Sequence, residues 1–202
     1  MKSLFDLPMT AWPHERNALH VYALPQIDGS VLTPIQDAIR TTGVCSIQPT
    51  EFLHATVTRI PAFVHTLPAD TVLALRRLLD EATAALDPFT VDMTGPHVSE
   101  HSVGYEGSRS PQWDSLVRSV RDCATTVLDD PALPPEPHAP HISLGYGTAD
   151  ADSAPLIAEL AGLGHQQPVR MHVTEVRLLA VHQDSTAGIY TWDTISTHNM
   201  GG

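Results

Sequence analysis

Apolar residues along the chain follow two periods, one typical of helices and one typical of strands. The stretch 69–86 is the clearest helix, because Val72, Leu75, Leu78 and Leu79 recur at spacings of three and four residues. Short apolar runs that end at proline, glycine or polar residues indicate strands. The pattern predicts helices at 31–39, 69–86, 111–128 and 154–163. It predicts strands at 19–24, 52–60, 89–93, 97–105, 141–146, 169–182 and 189–195.

Prolines set the expected ends of several strands, because proline lacks the N–H group that a central strand needs. Pro61 is expected to close the strand at 52–60. The Thr-Gly-Pro sequence at 94–96 is expected to break the next strand, so that 97–105 becomes its hairpin partner. The proline-rich segment 130–140 is predicted to form a loop that leads into the strand at 141–146.

Two motifs of the same pattern lie within predicted strands. Residues 54–57 read His-Ala-Thr-Val, and residues 141–144 read His-Ile-Ser-Leu. Side chains of a strand alternate between its faces, so each histidine projects to the same side as the hydroxyl residue two positions later. Two such strands placed side by side present two imidazoles and two hydroxyls to one space. That set suits a phosphodiester, with one histidine as base, the other as acid, and hydroxyls as donors to the non-bridging oxygens.

The motif is short, and the 12 histidines of the chain produce two further matches. Residues 97–100 read His-Val-Ser-Glu, and residues 172–175 read His-Val-Thr-Glu. Both have glutamate where the first two motifs have an apolar residue, and that position should pack against the core when the polar face lines a cleft. We therefore select the motifs at His54 and His141 as the catalytic pair.

Residues 52–57 (Phe-Leu-His-Ala-Thr-Val) and 139–144 (Ala-Pro-His-Ile-Ser-Leu) resemble the two signature motifs of the 2H phosphoesterase superfamily. This superfamily includes the 2′-5′ RNA ligase-like proteins and the cyclic nucleotide phosphodiesterases. The resemblance implies a bilobal α+β fold with a central cleft, and metal-independent chemistry on 2′,3′-cyclic or 2′-5′ phosphodiesters. It also implies the catalytic set, which is His54, Thr56, His141 and Ser143.

The order of the predicted elements agrees with such a fold. A strand, a helix and a motif strand in the first half are followed by a similar succession in the second half. From this order and from the resemblance we expect a single domain with two pseudo-symmetric lobes, each an antiparallel sheet with helices, around the cleft. The lobes are expected at about 1–88 and 89–196, and 197–202 is expected to be a frayed tail.

Charge limits the partners of the protein. The net charge is −12, with 11 basic and 23 acidic residues, so the broad positive surface required by long duplex nucleic acids is not expected. A small nucleotide or an RNA terminus remains compatible as a substrate. An alternative is a local arginine strip made of Arg59, Arg109 and Arg170. No signal-peptide pattern or membrane-length apolar run is present, and we expect a cytoplasmic monomer without membrane contact.

Five residues outside the motifs are candidates for substrate binding. Tyr146 follows the second motif and can line the cleft and stack on a base, as can Tyr105 or Trp113. Arg59 can bind a phosphate, although strand alternation puts it on the face opposite His54 unless the strand end twists. Arg109 lies in a Gly-Ser-Arg-Ser loop and is a similar candidate.

Neither a metal nor another cofactor is expected. Cys45 and Cys123 are isolated, without the spacing of a zinc site or a redox pair. His138 and His141 are three residues apart, but no carboxylate partner is evident. The chain also lacks a glycine-rich phosphate loop, a GxSxG elbow and an HExxH motif.

Four functions therefore stay open at this point. The leading hypothesis is a phosphodiesterase, and the same site run with an RNA 5′-hydroxyl as nucleophile would be a 2′-5′ ligase. A nucleotide-binding module without turnover and a histidine-rich metal-binding protein are the alternatives. The sequence does not decide which histidine acts as the base, because that depends on which ribose oxygen leaves.

Overall fold

The structure is a computed structural model that describes residues 1–14, 16–129, 133–136, 139–164 and 168–201. The strands are β1 (Ala18–Ala23), β2 (Ala55–Phe63), β3 (Phe89–Val98), β4 (Ser102–Gly107), β5 (His141–Tyr146), β6 (Val169–Val173), β7 (Glu175–Asp184) and β8 (Ile189–Asn199). The α-helices are α1 (Gly29–Thr42), α2 (Ala69–Ala84), α3 (Pro111–Val127) and α4 (Ala154–Gly162). Short 3-10 turns occupy Pro8–Thr10, Thr50–Phe52 and Val64–Thr66.

The strands form two four-stranded antiparallel sheets, with the orders β2-β1-β7-β8 and β5-β4-β3-β6. Together with the helices they confirm the predicted α+β class. The expected lobe boundary near residue 88 needs a correction, because β7 and β8 at the C-terminal end complete the sheet that β1 and β2 begin. The first lobe is therefore built from both ends of the chain.

The two faces of the first sheet differ in chemistry. Leu19, Val21 and Ala23 of β1 belong to the main hydrophobic core, together with residues of all four helices. His20 and Tyr22 alternate with them and face the other side of the sheet. One face thus packs under the helices, and the other carries polar and aromatic residues for the cleft.

Two strands continue through the prolines that were expected to stop them. β2 extends past Pro61 to Phe63, and this is possible because β2 is at the edge of its sheet, where a missing N–H costs no ladder bond. β3 extends through Pro96 to Val98, and the proline lies within an irregularity of the pairing with β4. His97 is consequently part of β3 and does not open the hairpin partner.

The C-terminal region also differs from the prediction. The expected strand at 169–182 divides at Thr174, so β6 joins the second sheet and β7 joins the first. The expected frayed tail is instead ordered as far as the structure describes it. β8 runs to Asn199, and the buried His198 hydrogen-bonds through Nδ1 to Asp80 of α2 at 2.6 Å. In the described ranges, no helix is long and apolar enough to cross a membrane.

Candidate active site

Both motif histidines lie where the chain enters a strand. His141 is the first residue of β5, as predicted. His54 lies immediately before β2, because Thr50–Phe52 form a 3-10 turn where the sequence predicted the start of the strand. Thr56 and Ser143 follow within their strands. The two motifs are therefore placed alike, with the histidine at the start of the strand and the hydroxyl residue two positions further along it.

The first motif contains a β-bulge. Thr56 pairs with Tyr22 of β1, whereas Thr58 pairs with the adjacent Val21, so Val57 has no partner of its own. An extra residue of this kind shifts the alternation of the strand by one position. The residues after Val57 consequently face the side opposite to the one that simple alternation predicts.

The second motif contains the same feature at the equivalent residue. Ser143 pairs with Gly104 of β4, and Gly145 pairs with the adjacent Val103, so Leu144 is the extra residue. The apolar fourth position of both motifs is thus a bulge, although the two sheets share no strands. The pseudo-symmetry of the fold extends to this local irregularity.

The bulges decide where the residues after the motifs point. Arg59 and Tyr146 each lie two residues beyond a bulge, and both face the cleft. Simple alternation puts Arg59 on the face opposite His54 unless the strand end twists; the bulge, and not a twist of the strand end, turns it to the face of His54. Arg59 is close enough to Tyr22 and Tyr190 for their charges to influence its pKa, which burial lowers. Tyr146 contacts Tyr190 with a ring distance of 5.3 Å.

The two histidines are oriented by equivalent hydrogen bonds. Nδ1 of His54 donates to the carbonyl of Phe52 at 3.0 Å, and Nδ1 of His141 donates to the carbonyl of Ala139 at 3.1 Å. A carbonyl can only accept, so Nδ1 carries the proton in each ring. Nε2 of each histidine is then the atom that can exchange a proton with a substrate.

His54 is held neutral by its surroundings. Its ring stacks on Tyr22 with centroids 4.1 Å apart and an angle of 10°. The Trp192 ring is nearly perpendicular to it, with centroids 5.3 Å apart. Burial lowers the pKa of His54 to about 4, against the opposing effect of the Phe52 carbonyl, and the charge of His141 lowers it further. The two imidazoles therefore lie close enough for the charge of one to affect the pKa of the other.

Each motif hydroxyl is accompanied by a buried tyrosine. Burial raises the pKa of Tyr146 to about 12, while a hydrogen bond with Ser143 acts in the opposite direction. Burial also raises the pKa of Tyr22, which is opposed by a hydrogen bond with Thr56. Both phenols are therefore protonated at neutral pH. A hydroxyl group can both donate and accept, so Thr56 and Ser143 are suited to bind phosphate oxygens.

Gln48 connects the two motifs and was missed by the sequence analysis, since no pattern marks it. Its side chain is fully buried, and Nε2 donates to the carbonyls of Phe52 at 2.8 Å and Tyr190 at 2.5 Å. Its backbone N–H donates to the bulged Leu144 at 2.9 Å. The Phe52 carbonyl is the same atom that orients His54. Gln48 therefore links the bulge of one motif to the histidine of the other.

Replacing Gln48 with methionine should lower kcat about tenfold with little change in KM. The substitution removes three side-chain hydrogen bonds, one with Phe52 and two with the backbone of Tyr190. Loss of the bond to the Phe52 carbonyl, at a cost of roughly 1–3 kcal/mol, loosens the acceptor of His54. Steady-state kinetics on the best substrate will measure this effect. If Gln48 acts through His54, the same substitution should have no further effect in the His54→Ala background. Equal losses in both backgrounds would show that Gln48 is only structural.

The remaining substrate-binding candidates lie elsewhere. Arg109 is bound by Asp114 at 2.7 Å and Glu136 at 3.2 Å, so its charge is already balanced. Arg170 pairs with Asp92 at 3.5 Å, and these ion pairs do not support the alternative of an arginine strip. The aromatic candidates Tyr105 and Trp113 are buried in the main core. The histidines of the two rejected motifs hydrogen-bond threonines of β3, His97 to Thr94 and His172 to Thr90.

The described residues contain no group of three or more histidine, cysteine, aspartate or glutamate side chains that could hold a metal ion. Cys45 and Cys123 are free thiols. His138, which was considered with His141 as a loose metal pair, lies outside the described residues.

Comparison with protein families places most of the chain in one superfamily. A model described as the 2′-5′ RNA ligase superfamily matches residues 36–185, a range that contains both motifs. A search among curated proteins finds no match.

Solved structures share the fold. TT0787 of Thermus thermophilus superposes with a TM-score of 0.63 at 14% identity, covering 92% of this chain and 98% of its own. Escherichia coli LigT complexed with NADP+ gives a TM-score of 0.62 at 16% identity, covering 93% of this chain and 100% of its own. LigT complexed with 3′-AMP gives 0.59 at 16% identity, with 93% and 99% covered.

Proposed function

Because the chain belongs to the 2′-5′ RNA ligase superfamily, whose members are phosphoesterase and RNA ligase enzymes, we propose that it hydrolyses 2′,3′-cyclic or 2′-5′-linked phosphodiesters. The substrate is a small nucleotide or an RNA terminus, and no metal takes part. One observation carries the proposal. Nδ1 of each motif histidine is hydrogen-bonded to a backbone carbonyl, which leaves Nε2 free to exchange a proton with the substrate. The same motifs supply two hydroxyl donors.

The chemistry follows from these atoms. One Nε2 takes a proton from a water molecule as its oxygen attacks phosphorus, and the other Nε2–H gives a proton to the ribose oxygen that leaves. The P–O bond of the ring breaks, and a monophosphate forms. Thr56 and Ser143 donate hydrogen bonds to the non-bridging oxygens, where charge develops in the transition state. We assign the base to His54, because burial keeps it neutral, and the acid to His141.

The assignment of the base leads to a prediction about pH. A pKa of about 4 means that His54 in the free enzyme loses its proton above that pH. As the pH is lowered, kcat/KM should therefore decrease with a midpoint near pH 4, and not near 6.5, which is the ordinary pKa of histidine. The profile should be bell-shaped, because the mechanism needs one histidine without its proton and one with it.

Measurement of kcat/KM between about pH 3.5 and 9 will check this profile. Activity recovered after return from acid to pH 7 controls for unfolding. An acidic limb centred near 6.5 would overturn the assignment of His54, and a flat profile with chemistry rate-limiting would overturn paired acid–base catalysis.

The function itself is tested with a panel of 2′,3′-cyclic nucleotides, 2′-5′ dinucleotides and RNA ends, with products identified by mass. We expect the product of a cyclic substrate to be heavier than the substrate by one water molecule. The same product should form in excess EDTA. Absence of turnover across the panel would contradict the proposal, and activity that is lost in EDTA and restored by a divalent ion would contradict the metal-free mechanism. Binding without turnover would favour the nucleotide-binding alternative.

Two observations support a small substrate. The net charge of −12 opposes binding of long RNA, whose affinity depends on many phosphate contacts. Solved structures of LigT contain 3′-AMP and phosphate, ligands of the size that we propose for this chain. Ligation of RNA ends by the same residues remains the second candidate, and the panel includes it when a 5′-hydroxyl RNA is added.

A further inference from the structure

The N-terminal segment (residues 1–12) crosses the cleft side of the molecule from one sheet to the other. At the second sheet, the backbone N–H of Leu4 donates to Gly147 at 2.8 Å, immediately after β5. The Thr10 hydroxyl hydrogen-bonds the carbonyls of Leu4 and Leu7, both at 2.8 Å, and closes the segment into a compact turn. At the first sheet, the segment ends at Trp12 beside β1 and β2.

Aromatic side chains of this segment fill the cleft next to the motifs. Phe5 lies against Tyr146 and Tyr190, with ring distances of 6.0 and 5.6 Å. Trp12 lies against Tyr190 at 5.7 Å and His20 at 5.3 Å. Tyr146 and Tyr190 are consequently only 6% and 7% exposed. The aromatic wall that could receive a base is already covered by this chain.

Arg59 is covered by the same segment. Its Nη1 donates to the carbonyl of Met9 at 2.6 Å, and its guanidinium lies 5.0 Å from the centre of the Trp12 ring. Within the described ranges, no carboxylate forms an ion pair with Arg59. A half-buried guanidinium that is bonded to a neutral carbonyl retains its attraction for an anion, because bonds between two charged groups are about twice as strong.

The fit of the segment is incomplete. Nε1 of Trp12 is buried without a hydrogen-bond partner among the described residues. A buried donor left without a partner costs about 1–3 kcal/mol, which weakens the hold of the segment on the cleft. Residues 1–4 are held firmly, by backbone bonds to Glu100, Gly147 and Ala151. In the described structure, the backbone–backbone hydrogen bonds of residues 5–12 all stay within the segment. A stretch held in this way can open locally while its base stays attached.

We propose that residues 5–12 of the N-terminal segment occupy the place of the substrate and leave the cleft when the substrate binds, while residues 1–4 stay attached. Phe5 stands where a nucleobase stacks against Tyr146 and Tyr190, and the Met9 carbonyl stands where a phosphate oxygen binds Arg59. The ligand is thus a nucleotide that offers an aromatic base and an anionic group together. This inference rests on the proposed function, since it concerns the same cleft.

Kinetics of the Phe5→Ala variant tests the proposal on the best substrate of the panel. In the closed form the segment covers the cleft, and only the open form binds the substrate. The apparent Kd equals the intrinsic Kd divided by the fraction of open molecules. A substitution that weakens the closed form raises this fraction and should lower KM. We expect KM to fall about tenfold, with kcat within about twofold of the parent. Trp12→Ala should act in the same direction. Asp6→Ala, at an exposed position in the same segment, is the matched control and should leave KM unchanged.

The opposite outcomes are distinct. If Phe5 and Trp12 form a permanent wall that contacts the base, both alanine variants should raise KM, and the proposal is overturned. An unchanged KM in both variants would overturn it as well, because the segment would then not compete with the substrate.

The rate of tyrosine nitration by tetranitromethane measures how often the segment uncovers the cleft when no substrate is present. In the parent, Tyr146 and Tyr190 should be modified faster than Tyr105, which is buried in the main core, and Phe5→Ala should accelerate them further. Equal protection of all three tyrosines in the parent and the variant would overturn the proposal. Faster nitration in a protein that turns over no panel substrate would support displacement of the segment and count against the hydrolytic function alone.

Discussion

Replacing His54 or His141 with alanine should reduce kcat by about 10²–10⁴-fold, the usual contribution of a positioned acid or base. Each substitution removes the only Nε2 that its motif directs into the site. The loss of kcat in the double variant should be smaller than the product of the two single losses, because the base and the acid act together in one reaction. Steady-state kinetics on a 2′,3′-cyclic nucleotide will measure both losses.

The fold must be checked separately for the two variants. His54 is 7% exposed and stacks on Tyr22, so its removal leaves a small cavity and should lower the melting temperature more than removal of the half-buried His141. His172→Ala is the matched control, since His172 heads a motif of the same pattern outside the site. A folded His54→Ala or His141→Ala variant with the parent rate would refute the catalytic assignment.

Strand and helix positions followed from the sequence where the local pattern was sufficient. β5 has the predicted bounds, and the four helices lie within a few residues of theirs. The bulges at Val57 and Leu144 could not be predicted, because a bulge is defined by the register of the partner strand. The division of the chain at Thr174 is equally non-local, since it depends on which sheet has a free edge.

The candidate site rests partly on a local pattern as well. The histidines and hydroxyls carry a short pattern with a known chemical use, and the pattern proposes them as the catalytic set. The direction of Arg59 depended on the bulge, and the positioning by Gln48 depended on a hydrogen-bond network between distant segments. The cover over the cleft arises from aromatic residues near the N-terminus, where Phe5 and Trp12 stand in no periodic pattern.

Loss of either motif hydroxyl should produce the second large effect. Thr56→Val keeps the size of the side chain and removes its donor, and Ser143→Ala removes the equivalent donor in the second motif. One donor to a developing oxyanion contributes about 2.7–4 kcal/mol, so each variant should lose about 10²–10³-fold in kcat with a smaller change in KM.

Thr56→Ser distinguishes this role from packing. Ser143 is already a serine at the equivalent position, so a serine at position 56 should restore most of the activity that valine removes. Tyr22→Phe removes only the phenol that accompanies Thr56 and should cost much less than Thr56→Val, because the hydroxyl of Thr56 can still donate to phosphate. If Thr56→Val retains kcat within about twofold, or if Thr56→Ser is as impaired as Thr56→Val, the hydroxyl does not bind the transition state. In that case the two histidines would carry the chemistry without a hydroxyl donor from this motif.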